Sequence, residues 1–143
     1  MGRSVARERA GTRAKEVSAP ALLDASFLID LERETAADNE GPALRFLKSL
    51  RGRRIVISVV TVAELLEGAV DQMQALAALQ RFSIHGVHLA QARRCALVQQ
   101  RAPRRLGEND AWLMATADSL NADVVGADRK AFERLGARYL RFR

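Results

Sequence analysis

Apolar positions recur along this chain in two ways, as brief continuous runs and as longer stretches in which they return at helical spacing. The first run, 21–23, stops at Asp24. From Ser26 to about residue 33, Phe27, Leu28 and Leu31 share one face of a predicted helix. The polar stretch 34–41 closes it, and Pro42 opens a second helix to about residue 50, at a first-turn position where its missing N–H costs little. After the turn Arg51-Gly52-Arg53-Arg54, the run 55–60 is β-branched and apolar at nearly every position, as in a strand covered on both faces. Thr61-Val62-Ala63-Glu64 has capping-box spacing and predicts a helix from Thr61 to about residue 69. Further helices are predicted over 71–81, 90–100, 111–117 and 129–135, with short strands around 83–87 and over 123–126 and 137–142. Strands alternating with helices in this manner predict an α/β fold, a three-layer α/β/α arrangement on a mostly parallel central sheet.

Length and composition sharpen this picture. At 143 residues and 48% hydrophobic, the chain suits one domain with a substantial core. Residues 1–19 lack a sustained apolar period and are rich in Arg, Ala, Gly and Ser, which predicts a flexible basic N-terminal extension before a domain over 20–143. Cys95 is the only cysteine, so an intrachain disulfide framework and a multi-cysteine zinc site are excluded; it reads as a small core residue on a helix. The single cysteine also fits a reducing cytoplasm. No apolar segment approaches the roughly 20 residues that span a bilayer, so a soluble, cytoplasmic protein without membrane contact is expected. The net charge of +6, half of it carried by the extension, permits a polyanionic partner without requiring one.

Four acids hold equivalent places in the predicted order. Asp24 follows the first strand, Glu64 falls in the first turn after the second, Asp110 precedes a buried helix, and Asp128 follows a late strand. Taken singly, each has a structural reading as a helix cap or as a charge complementing a helix dipole. Together they converge, because strand ends and helix N-termini of a parallel sheet face one edge, where open α/β sheets place their ligands. Carboxylates gathered there repel one another unless a cation intervenes, and hard ions such as Mg²⁺ or Mn²⁺ prefer oxygen ligands. A site of that kind suits phosphodiester hydrolysis without a serine, histidine or cysteine nucleophile.

The segments that carry these acids are Leu22-Leu23-Asp24-Ala25-Ser26, Thr61-Val62-Ala63-Glu64-Leu65, Asn109-Asp110-Ala111-Trp112-Leu113-Met114-Ala115-Thr116-Ala117, and Val124-Val125-Gly126-Ala127-Asp128-Arg129-Lys130-Ala131-Phe132. In this order they resemble the motifs of PIN-domain ribonucleases, above all the VapC toxins of toxin–antitoxin modules, over roughly residues 20–142. The resemblance implies a PIN-like α/β/α fold and a Mg²⁺- or Mn²⁺-dependent endoribonuclease acting on RNA. It also implies a homodimer held inactive by an antitoxin whose C-terminal segment fills the active-site groove. By position, Asp24, Glu64 and Asp110 would be the core metal-binding acids, Asp128 the fourth, and Ser26 a supporting residue. One departure stands out: many relatives carry Thr or Ser where this chain has Gly126.

Other readings stay open at this level. A non-catalytic PIN-like binding module would use the same groove, and a solitary RNA-processing nuclease would need no antitoxin. A phosphotransfer domain also places an Asp at a strand end, but Asp24-Ala25-Ser26 lacks a second Asp and no lysine stands in an obvious partner position. His85 and His88, three apart around a glycine, read as packing or surface residues rather than a zinc pair, and Trp112 as core rather than a base-stacking platform. Arg45, Lys48, Arg51, Arg53 and Arg54 form one basic run, and Arg101, Arg104 and Arg105 another; each reads equally as a solvated face or as a binder of phosphates or of a partner's acidic groups.

Overall fold

The computed structural model describes residues 19–127 and 138–143. Their elements run β1 (Ala21–Leu23), α1 (Ala25–Ala36), α2 (Pro42–Ser49), β2 (Ile55–Ser58), α3 (Val59–Glu67), α4 (Gln72–Leu79), β3 (Ser83–His85), α5 (Leu89–Arg101), α6 (Glu108–Leu120), β4 (Asp123–Gly126) and β5 (Tyr139–Arg141). The strands form one sheet in the order β3-β2-β1-β4-β5, and all four pairings are parallel. Helices cover both faces, as the α/β/α expectation requires. The expected 1–19 extension, apart from Ala19, and the helix expected over 129–135 lie outside the described residues.

The period-2 alternation of strand side chains sorts the core into two layers. Ala21, Leu23, Ile57 and Val125 point to one face, where Phe27, Leu28 and Leu31 of α1, Ala43 of α2, Val62 of α3 and Leu79 of α4 meet them. Leu22, Val56 and Val124 point to the other, against Leu113, Met114 and Ala117 of α6. Burial on both faces is why these strands read as unbroken apolar runs.

Three of the boundaries that depart from the sequence expectation bear on the candidate acids and the helices beside them. The strand expected over 55–60 ends at Ser58, whose hydroxyl accepts the Val60 N–H (3.1 Å) and caps α3, so that helix starts at Val59. The Thr61-x-x-Glu64 capping box is therefore not formed: Thr61 is buried within the first turn and Glu64 lies further along, exposed. The first helix runs to Ala36 rather than 33, because Glu34 is held within it by the next helix; its carboxylate accepts the N–H groups of Gly41 (2.7 Å), Ala43 (2.9 Å) and Leu44 (2.9 Å), the unpaired donors at the start of α2. Helix α6 begins at Glu108, three residues before the apolar stretch.

In the basic run, Arg53 is structural. Its guanidinium pairs with Asp123 at 2.6 Å, with side chains 14% and 23% exposed, and donates to the carbonyls of Ala19 (2.8 Å) and Pro20 (3.4 Å). It thus ties the entry to β1 to the start of β4.

Candidate active site

The order of the sheet creates a topological switch at its centre. β1 is flanked by β2 on one side and by β4, reached only after the chain has built the other half, on the other side. The carboxyl ends of the paired strands β1 and β4 meet there, beside the crevice in which such sheets bind ligands.

Asp24 sits at that switch and is 7% exposed. Its backbone N–H donates to the Val125 carbonyl (3.0 Å), which continues the β1–β4 ladder by one residue. Its side chain caps α1: Oδ1 accepts the Phe27 N–H (3.1 Å) and the Ser26 hydroxyl (2.6 Å). Ser26 Oγ in turn accepts the Ala127 N–H (3.1 Å). One hydroxyl therefore joins the acid after β1 to the backbone after β4.

Gly126 completes this arrangement by having no side chain. A Cβ placed on it would lie 2.3 Å from Asp24 Oδ2 and 2.7 Å from Cγ, well inside contact distance. The carboxylate occupies the place where a hydroxyl residue would stand, and the departure noted in the sequence is a steric condition for this rotamer. Ser26 supplies a hydroxyl from the opposite side of the switch. The signal for it was the Asp-x-Ser spacing at a helix start; the space above Gly126 left no signal.

Burial pushes the Asp24 carboxyl above its ordinary value, against the hydrogen bonds from Ser26 and Phe27, and the negative charge of Asp110 pushes it further. Asp110 is the acid that the fold brings into electrostatic contact with Asp24. It is half-buried in the first turn of α6, with Gly107 beside it: a Cβ on that glycine would be 3.6 Å from Asp110 Oδ2. Glu64 stands on α3, the helix directly after β2, with its side chain exposed. Among the described residues, no three His, Cys, Asp or Glu side chains gather closely enough to form a metal-binding group. Asp128 lies outside the described residues.

The other candidates have packing roles. The His85 and His88 rings meet edge to face at 5.6 Å, and the Gln91 amide links His85 Nε2 (3.3 Å) to Ser119 Oγ (2.7 Å), joining β3, α5 and α6. Burial, with the nearby His88 and Arg54, lowers the His85 pKa. Cys95 is buried on α5, and Trp112 packs partly buried against the same small cluster.

The family model described as PIN domain matches residues 21–138. No curated protein matches. Solved structures similar in fold include a toxin–antitoxin complex from Klebsiella pneumoniae, 24% identical over 86% of this chain and 98% of that chain with a TM-score of 0.71. VapBC-1 from nontypeable Haemophilus influenzae is 24% identical over 86% of this chain and 98% of its own (TM-score 0.65). VapBC-5 from Mycobacterium tuberculosis, described as a member of the VapBC family of toxin–antitoxin systems, is 26% identical over 87% and 98% (TM-score 0.54).

Proposed function

The chain belongs to the PIN-domain family, and from that premise we propose that it is a Mg²⁺- or Mn²⁺-dependent endoribonuclease serving as the toxin of a toxin–antitoxin pair. The observation that carries this reading is the buried Asp24 carboxylate at the central switch, pushed up by burial and by the charge of Asp110. Helix capping engages Oδ1, while Oδ2 lies over the bare Gly126 backbone. Two carboxylates with oxygen donors only fit Mg²⁺ or Mn²⁺, since Mg²⁺ commonly takes one or two carboxylates and fills its remaining positions with water and phosphate oxygens.

In this reading Asp24 and Asp110 hold the ion, and Glu64 and Asp128 complete the donor set from α3 and from the segment after β4. Once bound, the ion would activate water and neutralise charge on the leaving oxygen. Ser26 locks Asp24 Oδ1, with Oδ2 on the Gly126 side of the carboxylate. The N-terminus of α1 adds backbone N–H groups that favour a bound phosphate.

The toxin assignment draws support from structural neighbours that were solved as toxin–antitoxin complexes. The cognate antitoxin is the proposed protein partner, the working form a homodimer and the location cytoplasmic; no helix among the described residues is long and apolar enough to cross a membrane. The exposed position of Glu64 favours one competing reading, a PIN-like module that binds partners without catalysis. The two separate in one experiment. RNA cleavage should require Mg²⁺ or Mn²⁺, stop with EDTA, and fall about a thousandfold in Asp24→Asn, equivalent to several kcal/mol of lost electrostatic stabilisation. Chelator-resistant cleavage or a fully active variant removes the mechanism, and no calorimetric uptake of Mn²⁺ favours the module.

A further inference from the structure

Beside the switch, an open cleft of about 460 Å³ lies between α2 and the residues after β5, lined by Pro42, Arg45, Phe46, Ser49, Phe142 and Arg143. Its aromatic lining is Phe46 and Phe142, whose rings both pack edge to face on the fully buried Phe27 behind them, with centroids 6.3 Å (Phe27–Phe46) and 4.8 Å (Phe27–Phe142) apart. Its rim is cationic. The Arg143 guanidinium lies over the Phe142 ring at 5.5 Å, and its Nε is fixed by Asp30 at 2.6 Å. Among the described residues only Nε is used in this way, and the Nη donors remain.

Arg45 is exposed and forms no ion pair among the described residues; its Nη1 only reaches the Glu40 carbonyl at 3.5 Å. The neighbouring acids are otherwise engaged. Glu34 is held by three backbone N–H groups, Glu40 pairs with Lys48, and Asp30 takes Arg143. The cleft thus keeps cationic donors beside aromatic surface, the combination that binds single-stranded nucleic acid through phosphates and base faces.

Its position connects it to the catalytic acid. The Phe142 N–H donates to the Gly126 carbonyl (3.4 Å), and Gly126 is the residue against which Asp24 lies. Phe27, on whose buried ring both lining phenyl groups pack, donates its N–H to Asp24 Oδ1. Asp30, the anchor of Arg143, is six residues beyond Asp24 on α1, about 9 Å along the helix axis.

We propose that this cleft is a subsite for single-stranded RNA, in which Arg45 and Arg143 hold a phosphate flanking the scissile one and the Arg143–Phe142 layer takes a base face. The proposal rests on the nuclease reading for its register relative to Asp24, but the binding itself is measured separately. The full chain carrying Asp24→Asn is titrated by fluorescence anisotropy against a labelled single-stranded RNA oligonucleotide, alone and with Arg45→Gln, Arg143→Gln or Arg51→Gln. Arg51 is exposed in the turn between α2 and β2, does not line the cleft, and serves as the charge control.

Arg45→Gln and Arg143→Gln should each raise Kd about tenfold and lower the salt slope by about 0.7, whereas Arg51→Gln should stay within about twofold. With the acids intact, Arg45→Gln should raise KM and keep kcat, the mark of lost uniform binding. Arg45 makes no ion pair among the described residues, so its variant reports binding even if Arg143→Gln loosens the segment around Asp30. Equal effects of Arg45→Gln and Arg51→Gln overturn the subsite, as does an absence of RNA binding. Unchanged RNA affinity with weakened antitoxin association also overturns it and reassigns the cleft to the protein partner. If the wild-type chain leaves RNA uncut in Mg²⁺ while these Kd shifts hold, the nuclease reading fails and the subsite stands.

Discussion

Gly126 shows how an absent side chain can serve a site. Its neighbour Asp24 lies so close that a methyl group on Gly126 would stand 2.3 Å from a carboxylate oxygen. Gly126→Ala must therefore turn the carboxylate away from Ser26 or shift the end of β4, and overpacking of this kind costs about 1–3 kcal/mol. Lower thermal stability and loss of RNA cleavage are expected together. Adding Asp24→Ala to Gly126→Ala removes the clash, so the double variant should regain stability over Gly126→Ala while staying inactive. A double-mutant cycle of melting temperatures measures this, and additive costs would show that the two side-chain positions do not compete.

At the scale of elements, helix ends decide where the acids stand. The capping hydroxyl of Ser58 starts α3 two residues ahead of the Thr61 pattern, leaving Glu64 without a capping task and exposed on α3. Glu34 does the opposite, spending its carboxylate on the first turn of α2, the helix that carries Arg45 and Phe46. Desolvation is the largest single influence on Glu34 and opposes its ionisation, but the three backbone N–H bonds and the charge of Arg45 together outweigh it and hold its pKa below the usual 4.5. Because the native value is depressed, this contribution is present above pH 4.5 and is lost as pH falls through the native value. Glu34→Gln should cost about 1 kcal/mol at neutral pH, as the loss of a helix cap does. Denaturant midpoints followed into acid should show the gap to wild type closing, and a gap independent of pH would contradict the charge-assisted cap.

For the whole molecule, the sheet must bring β1 and β4 together although about a hundred residues separate them in sequence. Arg53 bridges them at the edge opposite the crevice, through Asp123 and the carbonyls before β1. Arg53→Met leaves Asp123 half-buried without its partner and should destabilise the fold by about 3 kcal/mol. Arg53→Met combined with Asp123→Leu should recover most of that loss, because the stranded charge is removed as well. Chemical denaturation of the three proteins tests this, with no recovery in the double variant arguing that the carbonyl contacts matter more than the ion pair.

The parallel α/β/α layout and nearly every element were legible in the chain itself, because strands buried on both faces and amphipathic helices leave period-2 and period-3.6 signatures that local sequence carries. Asp24, Glu64 and Asp110 were legible as candidates for a related reason: each stands at or near the start of a helix after a strand or loop. Contacts between distant segments were not. That Asp24 faces Gly126, that Ser26 reaches Ala127, that Arg53 belongs to the core scaffold and that Arg45 meets Arg143 across an aromatic wall all depend on which strands become neighbours. Local periodicity records whether a residue is covered, since burial is a property of its own face of the element. It does not record by what, and the chemistry of a site is set by that second question.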